Sequence, residues 1–388
     1  MCIVRPRDLI RIRSQPGDRL KNILRTARRR FGYFVDMFAY PLRLSHYLEL
    51  INPLWTQHAL QARVIQVWDE TRDARTITLR PGRGWRSHRA GQYVRVGVPI
   101  GGMRHTRTYS ISSAPGTRDG CITITVKAIA DGRVSHHLVR QLKTGAYLPL
   151  GEPQGEFVIP DAIPVHPLFI TAGSGITPVM SMLRNYVLEF GTIPDITHIH
   201  YAPHAYDVIF GNELDELVQT QKHYRLQRVY TREPGANVTE QLHFNQAQLE
   251  QFCPDWRDRE VWACGPASLL DAVEEHWEQA GLRRQLHVER FRAKLAKIGA
   301  AGVSGGKVTF VKSNVEFQSD GVTNLLRVAE DAGLNPAHGC RMGICHGCDC
   351  VLVAGSVRDL RTGVVTDEAG EIIQVCVSAA VGDVEVEL

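Results

Sequence analysis

Four cysteines in the last fifty residues have the type and spacing of metal ligands. Cys340, Cys345 and Cys348 are separated by four and two residues, and Cys376 follows after a longer interval. Three thiolates spaced C-x4-C-x2-C with a distant fourth are typical of a [2Fe–2S] cluster, and glycines between them let backbone N–H groups approach the cluster sulfurs. Structural zinc is the alternative, but zinc sites favour paired C-x2-C knuckles. The sequence therefore predicts an iron–sulfur cluster here.

Two glycine-containing turns have the chemistry of phosphate sites. Gly173-Ser174-Gly175-Ile176-Thr177-Pro178 follows the apolar run PLFITA and leads into a helical pattern. Its glycines allow a dinucleotide pyrophosphate to approach the helix N-terminus, and Pro178 suits a first turn that needs no N–H. Gly132-Arg133-Val134-Ser135 also precedes a helical pattern, so we expect an anion-binding turn with a hydroxyl N-cap. Taken in isolation, plain helix capping explains the second turn better.

The elements that must position these groups fall into three kinds. From Gln61 to about Pro160, short alternating runs divided by Gly, Pro and Asp predict a small antiparallel barrel. Residues 168–291 alternate apolar strands with longer helical stretches, which predicts a parallel sheet covered by helices. Ala293–Gly306 is small and glycine-rich, as in a linker, and the segment beyond it predicts a hairpin followed by a helix.

Charge is distributed unevenly along the chain of 388 residues. The overall net charge is +4, yet residues 307–388 carry −6 and the first 306 residues carry +10. Residues 18–50 alternate basic and apolar groups, which predicts a helix that packs on the body or meets a membrane surface. The chain has no signal-peptide pattern and no apolar run long enough to span a bilayer, so we expect a cytoplasmic protein. The basic start lacks any nucleic-acid-binding motif, and no nucleic-acid partner is expected.

These motifs together resemble a known family of reductases. Residues 307–388 resemble a plant-type ferredoxin domain, and the preceding 230 residues resemble a ferredoxin–NADP reductase module, in the order seen in reductases of the phthalate dioxygenase type. The resemblance implies a multidomain fold with an antiparallel β-barrel flavin domain, an α/β parallel-sheet nucleotide domain and an α+β (β-grasp) ferredoxin domain. The expected segments are an N-terminal extension at 1–60, the FAD-binding barrel at 61–164, the NAD(P)-binding domain at 165–292, a linker at 293–306 and the ferredoxin domain at 307–388.

The resemblance also implies roles for individual residues. Arg107-Thr108-Tyr109-Ser110 matches the R-x-Y-S flavin motif, in which a guanidinium pairs with phosphate and a phenol ring stacks on the isoalloxazine. Tyr109, Ser110 and Cys264 are the expected catalytic residues, since the cysteine of Cys264-Gly265-Pro266 lies beside the nicotinamide in this family. The remaining expected cofactor contacts are Gly132, Val134, Ser135, Thr171, Gly173, Ser174, Gly175, Thr177 and Pro178. The Gly132 turn favours FAD, with FMN as the alternative.

The nucleotide preference is predicted from two further segments. Thr231 and Arg232 follow the third strand of the nucleotide domain and offer a cation, and the segment Tyr201–Tyr206 contains no acid to bind a free ribose 2′-hydroxyl. We therefore expect NADPH, with NADH as the alternative.

The function that the resemblance implies is electron transfer. NAD(P)H reduces FAD, FAD reduces the [2Fe–2S] cluster, and the cluster passes the electrons to a terminal oxygenase or desaturase. His46–Trp55 and the GCRMGICHGC loop resemble features of reductases that serve membrane-bound fatty acyl desaturases, which would explain a basic N-terminal extension in contact with the membrane. The alternatives are a soluble Rieske-type oxygenase or demethylase as the acceptor, a non-catalytic iron–sulfur redox sensor, and a zinc-binding module.

Overall fold

The computed structural model describes residues 52–55, 60–130, 132–160, 164, 166–232, 243–291, 305–339, 341–344 and 346–388. These residues form an antiparallel barrel, a parallel sheet with helices and a mixed sheet with one helix, in that order along the chain. The three predicted fold types are thereby confirmed. The predicted N-terminal helix at 18–50 and nearly all of the predicted linker lie outside the described residues.

The barrel consists of six strands and one helix. They are β1 (Gln61–Thr71), β2 (Ala74–Pro81), β3 (Tyr93–Ile100), β4 (Met103–Ser110), β5 (Ile122–Lys127), α1 (Arg133–Arg140) and β6 (Tyr147–Pro149). All of the pairings are antiparallel, in the order β5-β2-β1-β6, with β3 and β4 forming a second sheet. Apolar side chains that alternate along these strands, such as Val94, Val96 and Val98, fill the interior.

The second assembly is a five-stranded parallel sheet. Its elements are β7 (Pro167–Ala172), α2 (Ile176–Phe190), β8 (Ile196–Ala202), α3 (Gly211–Thr220), β9 (Tyr224–Tyr230), α4 (Gln246–Phe252), β10 (Glu260–Gly265), α5 (Ala267–Gln279) and β11 (Leu286–Arg290). The strand order is β11-β10-β7-β8-β9. Because β8 and β10 flank β7 on opposite sides, the strand order reverses at the carboxyl end of β7. Ligands of open α/β sheets bind at such a point.

The third assembly follows at Gly306. It contains β12 (Gly306–Phe310), β13 (Val315–Ser319), α6 (Leu325–Asp331), β14 (Asp349–Asp359), β15 (Val365–Thr366), β16 (Ile372–Gln374) and β17 (Ser378–Val386). β12 and β17 are parallel, whereas the other pairings are antiparallel. The Asn324 side chain caps α6 by accepting a hydrogen bond from the Arg327 N–H at 2.9 Å. The buried face of α6 packs against β13 and β17, so this helix and the sheet share one core.

None of the helices in the described part of the chain is long and apolar enough to cross a membrane.

Candidate functional site

One cavity of about 1380 Å³ opens where the three assemblies meet. The barrel contributes Arg107–Ser110 and the parallel sheet contributes Gly173–Gly175, while the third assembly contributes Gly339, Arg341 and Cys376. Pockets for one small molecule span about 300–1,000 Å³. The cavity therefore has room for a flavin and a nicotinamide together, and a cysteine of the predicted cluster lies on its wall.

The R-x-Y-S residues lie at the end of β4 and all line this cavity. Pairing with β3 places Tyr109 opposite Val94 and Ser110 opposite Tyr93, which fixes the register of the motif. Desolvation and the neighbouring Arg341 lower the pKa of Arg107 to about 10, and its guanidinium remains charged at neutral pH. Burial raises the pKa of Tyr109, so its ring stays a neutral phenol.

A half-buried acid meets this motif from the parallel sheet. The Ser110 hydroxyl donates a hydrogen bond to Oε2 of Glu289, on β11, at 3.4 Å. Desolvation raises the pKa of Glu289 to about 8, and burial together with Glu289 raises the pKa of the Cys264 thiol. A protonated carboxyl, a hydroxyl and a neutral thiol are therefore brought together near neutral pH.

Cys264 itself is completely buried, whereas the next two residues, Gly265 and Pro266, line the cavity. The backbone of Cys264 explains why residue 175 is a glycine. A Cβ on Gly175 would lie 2.1 Å from the Cys264 carbonyl oxygen and 2.7 Å from the Gly265 nitrogen. Only glycine fits where the turn after β7 crosses the end of β10, and the start of α2 is thereby held at the cavity.

The turn itself presents its backbone to the cavity. Gly173–Gly175 forms a single 3₁₀ turn and α2 begins at Ile176, without a side-chain cap among the described residues. Thr177 lines the cavity and donates its hydroxyl hydrogen to the Ser174 carbonyl at 2.9 Å, while Pro178 occupies the first turn of α2 as expected. Uncapped N–H groups at a helix start suit a phosphate.

Thr171 does not face the cavity. Its hydroxyl lies 2.7 Å from His198 Nε2 and 2.7 Å from His200 Nδ1, and His198 Nδ1 lies 2.7 Å from the Tyr224 hydroxyl. Burial lowers the pKa of His198 well below its ordinary value and that of His200 to about 3, so both rings are neutral. The structure places Thr171 in this network inside the sheet, and it is not among the residues that line the cavity.

The Gly132 turn differs from its predicted form. Gly132 is the N-cap of α1, and Ser135 lies inside the helix, where its hydroxyl donates to the Gly132 carbonyl at 2.9 Å. The predicted N-cap role of Ser135 is therefore wrong, because the helix begins three residues earlier than expected, at Arg133. Gly132, Val134 and Ser135 still line the cavity. A Cβ on Gly132 would lie 2.3 Å from the Ser135 hydroxyl, so a larger residue would displace the Ser135 side chain.

The far end of the cavity lies beside the third strand of the parallel sheet. Thr231 and Arg232 follow β9 and line the cavity, and their N–H groups donate to the carbonyls of Ala202 and Pro203. His204 stacks on Tyr206 with 4.9 Å between ring centroids. A guanidinium at this edge can pair with a phosphate on a nucleotide ribose.

Two of the four predicted cluster ligands belong to the described residues. Cys348 and Cys376 are both buried, and a hydrogen bond between their thiols lowers the pKa of Cys348. Cys340 and Cys345 lie outside the described residues, within which no set of three or more candidate metal ligands occurs. Two buried, adjacent thiols, with two further cysteines in the loop that precedes Cys348, are a donor set that fits a [2Fe–2S] cluster better than hard, oxygen-liganded ions.

Gly343 shapes the segment between Cys340 and Cys345. Its φ is +70°, and a Cβ there would lie 2.4 Å from Arg361 Nη1, which donates a hydrogen bond to the Gly343 carbonyl at 2.5 Å. A larger residue would displace the arginine that holds the loop.

Several cavity residues were not predicted. Among them are five cations that sequence spacing does not mark as ligands: Lys127, Arg133, Arg290, Arg327 and Arg341. Arg133 lies within the predicted phosphate turn, and Arg341 lies within the cysteine run, so the neighbouring motifs were the available signal. Glu289, in the segment HVERF, does not line the cavity itself, although the next two residues, Arg290 and Phe291, do.

Comparison with protein families assigns the three assemblies separately. Residues 63–159 match the oxidoreductase FAD-binding domain, residues 169–275 match the oxidoreductase NAD-binding domain, and residues 308–381 match the 2Fe-2S iron-sulfur cluster binding domain.

Relatives of similar length match most of this chain. An NADPH oxidoreductase of Mycobacterium tuberculosis is 43% identical, and the match covers 88% of each chain. The glycine betaine monooxygenase reductase subunit of Chromohalobacter salexigens is 31% identical over 86% of this chain and 96% of that one. The structure of phthalate dioxygenase reductase, described as modular for electron transfer from pyridine nucleotides to [2Fe-2S], matches with a TM-score of 0.61. That match has 22% identity over 85% of this chain and 98% of that chain, and so concerns the fold.

Proposed function

Because this chain belongs to the NAD(P)H-dependent reductases that join an FAD-binding domain, an NAD-binding domain and a 2Fe-2S domain, we propose that it passes electrons from NADPH to a separate terminal oxygenase or desaturase. The observation that carries this proposal is the shared cavity, in which Tyr109, Gly265 and Cys376 belong to three different assemblies. We place the FAD-binding domain at 61–164, the NAD(P)-binding domain at 165–292, the linker at 293–306 and the cluster domain at 307–388.

The chain supplies positioning and electrostatics for its cofactors. When bound, FAD takes up the electron pair of a reduced nicotinamide and the [2Fe–2S] cluster carries electrons singly. Arg107 offers a cation to a flavin phosphate and Tyr109 offers a ring for stacking. The uncapped start of α2 binds the dinucleotide pyrophosphate, and Cys340, Cys345, Cys348 and Cys376 hold the cluster.

Glu289 has a separate role in proton supply. It holds its proton at neutral pH because desolvation raises its pKa to about 8, and Ser110 bridges it to the flavin motif at 3.4 Å. We assign this pair to holding a proton beside the flavin ring. Cys264, buried and neutral, supports the nicotinamide side of the site through the surface formed by Gly265 and Pro266.

The proposed nucleotide is NADPH. Arg232 lies at the cavity edge beyond β9 and is the cation that a ribose 2′-phosphate requires. The relative that is 43% identical bears the name NADPH oxidoreductase, which supports the same choice.

The proposed acceptor is a membrane-bound di-iron fatty acyl desaturase. Support comes from the first 55 residues, since ten Lys and Arg against two acids occur in residues 1–30 and His46–Trp55 resembles a segment of desaturase reductases. A basic segment is attracted to anionic lipid by about 1 kcal/mol per charge. The chain would then work in the cytoplasm at the membrane surface.

A soluble oxygenase is the second candidate acceptor. The observation that favours it is the names of two relatives, a glycine betaine monooxygenase reductase subunit and a stachydrine N-demethylase reductase subunit, both 31% identical. The internal electron path would be the same for both acceptors.

The decisive experiment is an anaerobic absorbance spectrum of the purified protein before and after addition of NADPH. Bleaching of both flavin and iron–sulfur bands is the expected result, and NADH should act more slowly. Bleaching of neither band would contradict the proposal and leave a redox sensor that binds nucleotide without turning it over. Metal analysis completes the test, because zinc in place of iron and acid-labile sulfide would indicate an interaction module.

A further inference from the structure

A group of arginines from two domains surrounds one end of the cavity. Arg107, on β4, Arg133, at the start of α1, and Arg341, in the cysteine loop, all line it. His338 joins the two sides, because its Nε2 lies 3.5 Å from Arg107 Nη1 and 2.9 Å from Arg341 Nη2. The same Nε2 lies 3.2 Å from the Thr106 carbonyl, so the cluster domain contacts the barrel at this point.

The charges of this group do not balance within the described protein. Glu330 pairs with Arg341 through both guanidinium nitrogens, with 3.0 Å between Nη1 and Oε2. His105 lies within electrostatic range of Arg107, Arg133, Arg341 and Glu330. Three guanidinium groups therefore share this end of the cavity with one carboxylate. Arg107 and Arg341 are partly buried, and Arg341 lowers the pKa of Arg107 by charge repulsion, whereas Arg133 is exposed. An anion between these groups would relieve that repulsion.

The excess charge matches one part of the expected cofactor. Three cations and one carboxylate leave two positive charges, and the diphosphate of FAD carries two negative ones. Arg327, which also lines the cavity, already pairs with Asp331 at 3.0 Å. Arg341 is held toward the cavity by Glu330 and His338 with a φ of +61°, a conformation that a non-glycine residue adopts only when its contacts fix it.

We propose that Arg341, from the cysteine loop of the cluster domain, is a ligand of the FAD diphosphate and completes a site that Arg107 and Arg133 begin on the barrel. The inference rests on the proposed function in one respect, the placement of FAD in this cavity. Because the ligand joins two domains, FAD binding and docking of the cluster domain stabilise each other reciprocally. The residue that follows the ligand Cys340 would thus report flavin occupancy to the cluster loop.

The test compares flavins with and without the diphosphate. Full-length protein is stripped of flavin, and the dissociation constants of FAD and riboflavin are measured by fluorescence for the parent, R341Q, R341K and K307Q. Lys307 pairs with Glu316 on the exposed side of the same domain, so K307Q removes an equal charge away from the cavity. Iron content is measured for each variant to establish that the cluster domain is folded.

The expected result is specific to FAD. R341Q should weaken FAD binding about tenfold or more, as for loss of a charge-assisted hydrogen bond, and leave riboflavin binding unchanged. R341K should fall between R341Q and the parent, and K307Q should match the parent. FAD affinity of R341Q within twofold of the parent, or an equal loss for FAD and riboflavin, would overturn the inference.

The reciprocal effect gives a second readout. FAD should slow hydrogen exchange of α6, which carries Glu330, in the parent but not in R341Q. Equal protection in both proteins would contradict the linkage. Failure of NADPH to reduce the flavin at saturating FAD would instead count against the proposed function, so the two failures are distinguishable.

Discussion

Glu289 is an acid that the fold keeps protonated at neutral pH. Its pKa is raised from 4.5 to about 8 by desolvation, so the folded state retains a proton that the unfolded state loses above pH 4.5. The stability of the parent should consequently fall as the pH rises through the range from 4.5 to 8. E289Q cannot ionise, and its melting temperature relative to the parent should increase by several degrees between pH 4.5 and 8.

The same variant separates structure from proton supply. At pH 6, E289Q should fold as well as the parent and yet reduce its flavin more slowly with NADPH in stopped-flow measurements. An unchanged difference in melting temperature across this pH range would show that Glu289 titrates as an ordinary exposed acid.

Arg232 is expected to select the phosphorylated nucleotide. R232Q should raise the KM for NADPH about tenfold, the size expected for loss of a charged hydrogen bond, and leave the KM for NADH unchanged. Steady-state ferricyanide reduction with each nucleotide measures both constants. Equal increases in KM for NADPH and NADH would mean that Arg232 stabilises the loop after β9 and does not bind the 2′-phosphate.

The positions of single side chains were harder to predict from the sequence than the elements or the domains. Motif spacing placed Tyr109, Ser110 and Gly175 on the cavity, because a motif fixes the backbone at each of its positions. It also grouped Thr171 with them. The Thr171 side chain instead contacts His198 and His200, which lie on the neighbouring strand β8 and are distant from Thr171 in sequence. Contacts between strands distant in sequence have no local signature.

At the scale of elements, the crossing of the Gly173–Gly175 turn over β10 should be sensitive to one methyl group. G175A places a Cβ 2.1 Å from the Cys264 carbonyl, so α2 must shift, and overpacking of this kind costs about 1–3 kcal/mol. We expect a lower melting temperature and weaker NADPH binding, measured by thermal denaturation and by nucleotide titration.

A matched control exists at the start of α3. Gly211 also begins a helix, but a Cβ there would meet only Val208 at 3.9 Å. G211A should bind NADPH like the parent and be at least as stable, since alanine has less freedom in the unfolded chain. If G175A behaved like G211A, the close approach to β10 would have no bearing on nucleotide binding.

Strand and helix types followed from the sequence for a physical reason. β7 is buried on both faces and its sequence is correspondingly apolar, whereas the barrel strands alternate. β8 is equally buried although it carries His198 and His200. The start of α1 was missed because Arg133 and Ser135 carry no apolar periodicity, and its N-cap is a glycine without a side-chain signal.

At the scale of the whole molecule, the site arises from the meeting of three domains that the sequence describes one at a time. The order of motifs predicted which domains occur, but not that Arg341 and His338 would face the barrel. Cys376 on the cavity wall accounts for the proposed path, because the cluster domain then contacts the flavin site directly.

Removal of one cluster ligand should block electron transfer beyond the flavin and leave reduction of the flavin intact. C376S should lose most of its iron and acid-labile sulfide, because a serine hydroxyl is a poor substitute for thiolate. NADPH-dependent ferricyanide reduction should persist, since a small oxidant can react at the flavin, while turnover of the terminal acceptor is lost. C350S is the control, because Cys350 is buried nearby but is not in the ligand pattern. Retained acceptor turnover in C376S would place the electron exit outside the cluster.

The identity of the acceptor can be tested through the basic N-terminal extension. The triple variant R28Q/R29Q/R30Q removes three charges, each worth about 1 kcal/mol at an anionic surface, so its binding to phosphatidylserine-containing vesicles should fall about a hundredfold. A variant with Arg83, Arg86 and Arg89 of the barrel changed to Gln is the control for net charge. If both variants bind alike, or the parent does not bind, the membrane argument fails and a soluble oxygenase becomes the better acceptor. If R28Q/R29Q/R30Q loses vesicle binding but reduces ferricyanide as fast as the parent, the extension serves membrane attachment and not catalysis. That is the result expected of a reductase whose acceptor lies in the bilayer.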